Sequence, residues 1–513
     1  SSDTNGVATF MNAFNDIDGT PATANPFLLR EILKGKWNYD GMVVSDWGSI
    51  MELIVHGVAE NGKEAAYLAL SAGSDMDMEG DIYIGELEEL INEGRLDESL
   101  LDDAVARVLR LKYKLGLFDD PYKYCDTVRE INTLLNEENL KASREVAKKS
   151  MVLLKNKDNL LPLKNPKSIA LIGPLVKDKD APLANWRAQA VSNSAVSLYE
   201  GLTTAFGPDV NIKYAEGCKL SIGENSFARE VTIEENDRSG FPAAIAAARS
   251  AEVVIMALGE PAYMSGEARS KADIGLPGLQ LELLKEVYKV NKNVILILMN
   301  GRPLTINWEV ENIPAILEAW HLGSEAGNAI ADVVMGKYNP SGKLPMTFPR
   351  SVGQIPIYYG HKSSGRPESS GGMIFYTHYM DEERTPLFPF GFGLSYTTFE
   401  YSDISLDKTS MTDTQTLSVS VDVTNTGDVK GEEVVQLYIR DMTASVTRPI
   451  KELKGFEKIE ITPGETKTVT FELNNDHLSF YKADLSFGSE PGKFKVFVGT
   501  NSQELKEADF ELK

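Results

Sequence analysis

The chain has 513 residues, 42% of them apolar and 25% charged, so it is too long for one compact domain and too apolar for overall disorder. A net charge of −23, from 52 basic and 75 acidic residues, disfavours nucleic acid and anionic membrane as partners and suits a neutral ligand. No run approaches the roughly 20 apolar residues of a membrane span, and Cys125 and Cys218 stand in no metal-like spacing.

The opening "SSDTNGVATF" has neither the basic region nor the apolar core of a signal peptide. The first 120 residues then alternate short apolar runs with helical patterns. "VATFMNAFN" (7–15) predicts a strand, and "NPFLLREILKGKW" (25–37) a helix with Asn25 at its cap and Pro26 in its first turn. "GMVVSD" is the next strand. "GKEAAYLALSAG" (62–73) is a helix closing on Gly73, and "SDMDM" (74–78) another strand end. "IGELEELINEG" and "SLLDDAVARVLRLKYKLGL" carry the i, i+3, i+4 spacing of amphipathic helices. Strand–helix alternation favours a parallel sheet. Three such units suit the last part of a (β/α)₈ barrel, which needs about 250 residues in all, so the chain is expected to begin in mid-domain.

Further on, "MVLLKN", "SIALIGP" (168–174), "AEVVIMALGE" (251–260), "NVILILMNGRP" (293–303) and "AILEAWHLG" (315–323) predict buried strands with helices between them, a second α/β domain. After "PLFPFGFGLSY" (386–396) the pattern becomes period-two alternation broken by turns, as in "TLSVSVDVTN", "EVVQLYIR", "TKTVTFEL" and "KFKVFVG", which describes an all-β sandwich. The expected divisions are 1–120 for the C-terminal portion of the barrel, 121–149 for a linker and helix, and 150–360 for the α/β domain. A connecting segment (361–396) and the β-sandwich (397–513) complete the chain.

Two places carry ionisable groups at strand tips, where parallel α/β sheets bind ligands. Asp46 ends the "GMVVSD" strand, poised as nucleophile, base or metal ligand, although an Asp there is also a common helix cap. Trp47 can wall a sugar ring or simply fill a barrel mouth. The loop "GEPAYMSGEARSKAD" (259–273) holds Glu260, Glu267, Arg269, Lys271 and Asp273. Such charges are often mere solvated decoration, but Gly266 before Glu267 and the position beyond a strand argue for more. Arg269 is either a substrate contact or a charge partner. Two carboxylates from different domains fit a glycosidase pair, about 5–5.5 Å apart for retention or 6.5–9.5 Å for inversion. Other chemistries lack parts. The five histidines (56, 321, 361, 378 and 477) have no ligand spacing, and there is no G-x-S-x-G elbow, P-loop or G-x-G-x-x-G. His56 and His321 are expected to be structural or polar lining.

"NAFNDIDGTPATANPFLLREILKGKWNYDGMVVSDWGSI", "MNGRPL", "GNAIADVVMGKYNPSGKLPMTFPRSVGQIPIYY", "PLFPFGFGLSYTTF" and "TRPIKELKGFEKI" resemble glycoside hydrolase family 3, in its periplasmic bacterial β-glucosidase branch, over essentially the whole chain. The resemblance implies a (β/α)₈ barrel, an α/β sandwich and a fibronectin-type-III-like domain, with the front of the barrel absent. It implies Asp46 as nucleophile, Trp47 as subsite wall and Glu267 as acid/base, with Glu260 as the alternative acid. Met11 becomes a sugar contact, and Phe14 stands where many members carry Tyr, without the hydroxyl that could steady the nucleophile. The family's sugar-clamping Asp, Arg, Lys and His lie on earlier strands. The expected activity is retaining, exo-acting β-glucosidase on terminal β-glucosyl residues of oligosaccharides or glucosides, in a periplasmic or secreted location and without cofactor or metal. β-Xylosidase, β-1,3/1,4 exo-glucosidase and a non-catalytic carbohydrate-binding derivative are the alternatives. The sandwich is expected to buttress the other domains or an oligomer contact such as a homodimer, and the missing barrel half to come from the same precursor.

Overall fold

The apolar runs of the sequence become strands, but side chains and loops set how long each strand lasts. The computed structural model describes residues 6–188, 190–366 and 374–513, so part of the expected connecting segment 361–396 lies outside the described residues. The chain forms two compact units, Ser1–Leu134 and Leu135–Lys513.

In the first unit the strands Thr9–Met11 and Met42–Val44 pair in parallel, Met11 opposite Val44. The strand expected over 7–15 is therefore short, and Thr9, Phe10 and Met11 are all exposed. The strand end expected at 74–78 is a single parallel bridge, Val44 to Met76. Side chains replace its ladder: the Asp75 carboxylate accepts the Val43 N–H at 2.8 Å, and the Ser45 hydroxyl accepts the Met78 N–H at 2.8 Å. No closed barrel forms among the described residues.

The intervening helices follow the predicted periodicity. Phe27–Lys36 buries Leu29 and Leu33 and is wound with i→i+5 bonding, as in Trp37 N–H to Ile32 O at 2.9 Å. Asn25 accepts the Leu28 N–H at 3.2 Å at its start. Gly62–Ala72 packs Ala65, Ala66, Ala69 and Leu70 inward and ends at Gly73, whose φ of 110° is open to glycine at little cost. Ile82–Asn92 and Glu98–Lys114 complete the unit, with Leu87, Leu90 and Ala104 joining the same core as Ala66 and Leu70.

The second unit is built on a six-stranded sheet in the order Val152–Asn156, Ala315–Glu318, Val294–Met299, Val253–Gly259, Ser168–Ile172 and Asn211–Ala215. Every pairing is parallel except that of Val152–Asn156 with Ala315–Glu318. Helices cover both faces, so each strand buries alternate residues in opposite cores: Ile255, Ile295 and Ile297 on one side, Val254, Leu296 and Leu298 on the other. This is why "VVIMAL" and "VILILM" read as unbroken apolar runs.

The C-terminal region is a two-sheet β-sandwich. One sheet holds Phe399–Tyr401, Leu417–Asn425, Ser405–Leu406 and Thr466–Leu473, and the other Ser410–Met411, Leu505–Leu512, Gly492–Gly499, Gly431–Asp441 and Glu452–Ile461. Val419, Val421, Val435, Leu437, Val496 and Phe510 fill the space between them. Polar contacts tie this sandwich to the α/β part of the same unit. Lys343, nearly buried, lies 3.2 Å from Glu433 and donates to Thr500 Oγ1 and Gly393 O, both at 2.9 Å. Glu432 accepts the Tyr338 and Ser341 hydroxyls at 2.6 and 3.0 Å.

Candidate active site

Asp46 follows directly on the buried Met42–Val44 strand. Ser45, fully buried, anchors the turn: its N–H bonds Met76 O, its hydroxyl donates to Asp46 O at 2.9 Å, and Gly48 N–H bonds Met78 O. The Asp46 carboxylate is half-buried, and Oδ1 accepts only the N–H of the adjoining Trp47, at 2.7 Å. A helix-capping carboxylate would take the N–H two or three residues on; here the Ser49 N–H goes to the Asp46 backbone oxygen instead. Trp47 is 64% exposed, so its indole does not fill the core of the first unit. Met11 is exposed, two residues before the strand register of Asp46, and Phe14 is half-buried with its carbonyl accepting His56 Nε2–H at 3.1 Å. Beneath them lies a buried polar net: Asn12 Nδ2 donates to Ser74 Oγ, and the Thr23 hydroxyl contacts Asn12 Oδ1 and Ser49 Oγ.

The other strand-tip acids are committed elsewhere. Asp75 is paired with Lys34 at 2.5 Å, their side chains 1% and 7% exposed. Burial raises the Asp75 pKa and lowers that of Lys34, each opposed by the partner's charge. Asp77 Oδ2 accepts the Ile82 and Tyr83 N–H groups at the start of their helix. Neither role was read from the sequence; the alternating acids of "SDMD" were the only available signal.

In the second unit, the Val253–Gly259 strand delivers Glu260 into a fully buried position, 3.0 Å from Arg302 Nε and 3.8 Å from Lys271. Asp273 Oδ1 accepts the Gly275 N–H. Glu267 is exposed and makes no hydrogen bond or ion pair with the described residues. Arg269 is neither a charge partner nor free: its guanidinium donates to the carbonyls of Tyr263, Ala268 and Phe227, at 2.9, 3.2 and 2.7 Å. His321 is structural. Its Nδ1–H bonds Ala181 O at 2.7 Å, so Nε2 accepts the Ser265 hydroxyl at 3.2 Å, and burial holds its pKa below the usual range. Next to this loop the exposed Trp186 meets Phe227 edge-on, centroids 5.5 Å apart, an aromatic pair that the sequence reading did not single out. Of the residues picked out from sequence, Asp46, Trp47, Met11 and Phe14 share the first unit, and Glu267 and Arg269 the second.

Among the described residues, no group of three His, Cys, Asp or Glu is placed to hold a metal ion, and no helix is long and apolar enough to cross a membrane. Residues 4–111 match the glycosyl hydrolase family 3 N-terminal domain, 151–396 its C-terminal domain, and 433–502 a fibronectin type III-like domain. The chain is 43% identical over 99% of its length to a periplasmic β-glucosidase of Salmonella typhimurium, of which it covers 68%. It belongs to glycosyl hydrolase family 3. A family 3 chain of this kind is a glycoside hydrolase. It is also 41% identical to a β-xylosidase of Formosa agariphila, over 99% of this chain and 70% of that protein. Among solved structures it is similar to a mutant β-glucosidase of Listeria innocua in complex with laminaribiose, with a TM-score of 0.91 and 40% identity over 98% of this chain and 67% of that one. The α/β architecture and the fibronectin-type-III-like sandwich are those of the family.

Proposed function

We propose that this family 3 chain carries the two catalytic carboxylates of a retaining, exo-acting β-glucosidase, with Asp46 as nucleophile and Glu267 as general acid/base. The observation that carries the reading is the pattern of commitment. Asp75, Asp77 and Glu260 are tied to Lys34, a helix start and Arg302, whereas Asp46 keeps most of its carboxylate free and Glu267 all of it. On this reading the first unit is the C-terminal portion of a (β/α)₈ barrel, supported by its parallel strands, its helices and its N-terminal-domain match.

Asp46 attacks the anomeric carbon of a terminal β-glucosyl residue as the bond to the aglycone oxygen breaks, and Glu267 gives that oxygen its proton. Glu267, now ionised, takes a proton from water, which attacks the anomeric carbon and frees Asp46, so the β-configuration is restored. Trp47 supplies an apolar wall for the sugar, and Met11 and Phe14 line the same strand ends. The similarity to a protein named periplasmic supports a periplasmic location.

The test is Asp46→Ala in the full-length enzyme. Turnover of an aryl β-glucoside is lost with secondary structure intact; rates near wild type would remove Asp46 from the mechanism. The similarity to a β-xylosidase favours one other specificity. Comparison of kcat/KM for 4-nitrophenyl β-glucoside and β-xyloside decides between them, a clear excess for the xyloside overturning the glucosidase assignment.

A further inference from the structure

Glu267 stands at the crown of a loop whose flanks are fastened. Arg302 lies just beyond the Val294–Met299 strand, and its guanidinium points three ways. Nε faces the buried Glu260, Nη1 donates to Arg269 O at 2.9 Å, and Nη2 donates to Met264 O. Those two carbonyls bracket Glu267, one on each side. Arg269 holds Tyr263 O and Ala268 O, and Ser265 is held by His321. At Gly266 φ is +116°, and a Cβ there would come within 2.6 Å of Asn185 Nδ2. The backbone beside Glu267 is therefore fixed while its carboxylate is left unengaged.

One cation reaches both flanks only because guanidinium is a planar fork of five donors; an ammonium is a point. Its counter-charge is Glu260, fully buried and shared with Lys271 at 3.8 Å, so the guanidinium is held in the protein interior by a paired carboxylate. A general acid must sit within hydrogen-bond reach of the oxygen it protonates.

We infer that Arg302, paired with Glu260, is the positioning residue of the acid/base, holding the 263–269 loop so that Glu267 meets the aglycone oxygen. This rests on the assignment of Glu267 as acid/base. Arg302→Lys keeps the charge and the Glu260 pair but leaves at least one flank unheld. Misplacement of a catalytic group by about 1 Å costs on the order of 10²-fold in rate. The expected loss is of that size in kcat/KM for an aryl β-glucoside with a poor leaving group. For dinitrophenyl β-glucoside, which departs without protonation, kcat/KM changes little. Azide should then raise kcat on the dinitrophenyl substrate and yield β-glucosyl azide, since a small anion needs no base. Loss of folded enzyme lowers both substrates alike and gives no azide product, so these ratios separate positioning from stability. Glu267→Gln is measured beside it. If Glu267→Gln shows the leaving-group split and azide product but Arg302→Lys does not, the positioning role is overturned. If Glu267→Gln lacks them, the acid assignment fails and takes this inference with it.

Discussion

The buried Lys34–Asp75 pair gives a sharp test of how the first unit is held together. Asp75 accepts the Val43 N–H through Oδ2 and faces Lys34 through Oδ1, with both side chains almost wholly out of water. Lys34→Met keeps the length and apolar stem of the side chain but strands a buried carboxylate. Removing one partner of a buried pair costs about 3–5 kcal/mol, and each 1.4 kcal/mol is about tenfold in an equilibrium. The amides of Met42–Val44, reached through opening of this region, should thus exchange with solvent deuterium about a hundred to several thousand times faster at pH 7. The deficit should shrink at pH 5. Burial raises the Asp75 pKa in the fold above its unfolded value, so the folded chain binds the proton more readily; that contribution favours the fold at low pH and is lost as pH rises through the folded pKa. Without Lys34 the pKa rises further and protonation relieves the stranded charge sooner. Unchanged protection in Lys34→Met at pH 7, or a deficit equal at pH 5 and pH 7, would refute this account.

Glu309, buried in the Asn307–Asn312 helix, has its pKa pushed up to about 7 by desolvation, so its stabilising proton is progressively lost between its ordinary value and about 7. Glu309→Gln should raise the thermal midpoint at pH 8 and leave it near wild type at pH 4.5, read by circular dichroism. Burial also pushes the Cys218 thiol up to about 12, whereas Cys125 is exposed. Iodoacetamide at pH 8 should therefore label Cys125 alone in the native protein, and both cysteines after unfolding, by peptide mass.

The strands of the α/β domain and the sandwich were legible because their environments leave distinct marks: "VILILM" is buried on two faces, "TLSVSVDVTN" on one. The strand end at 74–78 is confined to one backbone bridge because Asp75 and Ser45 take over bonds that backbone groups make in a regular ladder, and periodicity does not report that substitution. Asp46 and Glu267 drew attention through their place after apolar strands. What distinguishes them from Glu260 and Asp75 is the absence of a resident cation. Arg302 is 42 positions from Glu260 and Lys34 is 41 from Asp75, so that distinction arises only when the chain folds. The same holds for Arg269: nothing local says that its donors meet the carbonyls of Tyr263 and Phe227.

Lys343 draws two of its three partners, Glu433 and Thr500, from the β-sandwich. Cutting the chain after residue 396 would strip an almost dry ammonium of its counter-ion and leave the Tyr338 and Ser341 hydroxyls without Glu432. The C-terminal module is therefore no detachable tail: the α/β part needs it to keep its own interior electrically balanced, and shortened versions made for expression should include it.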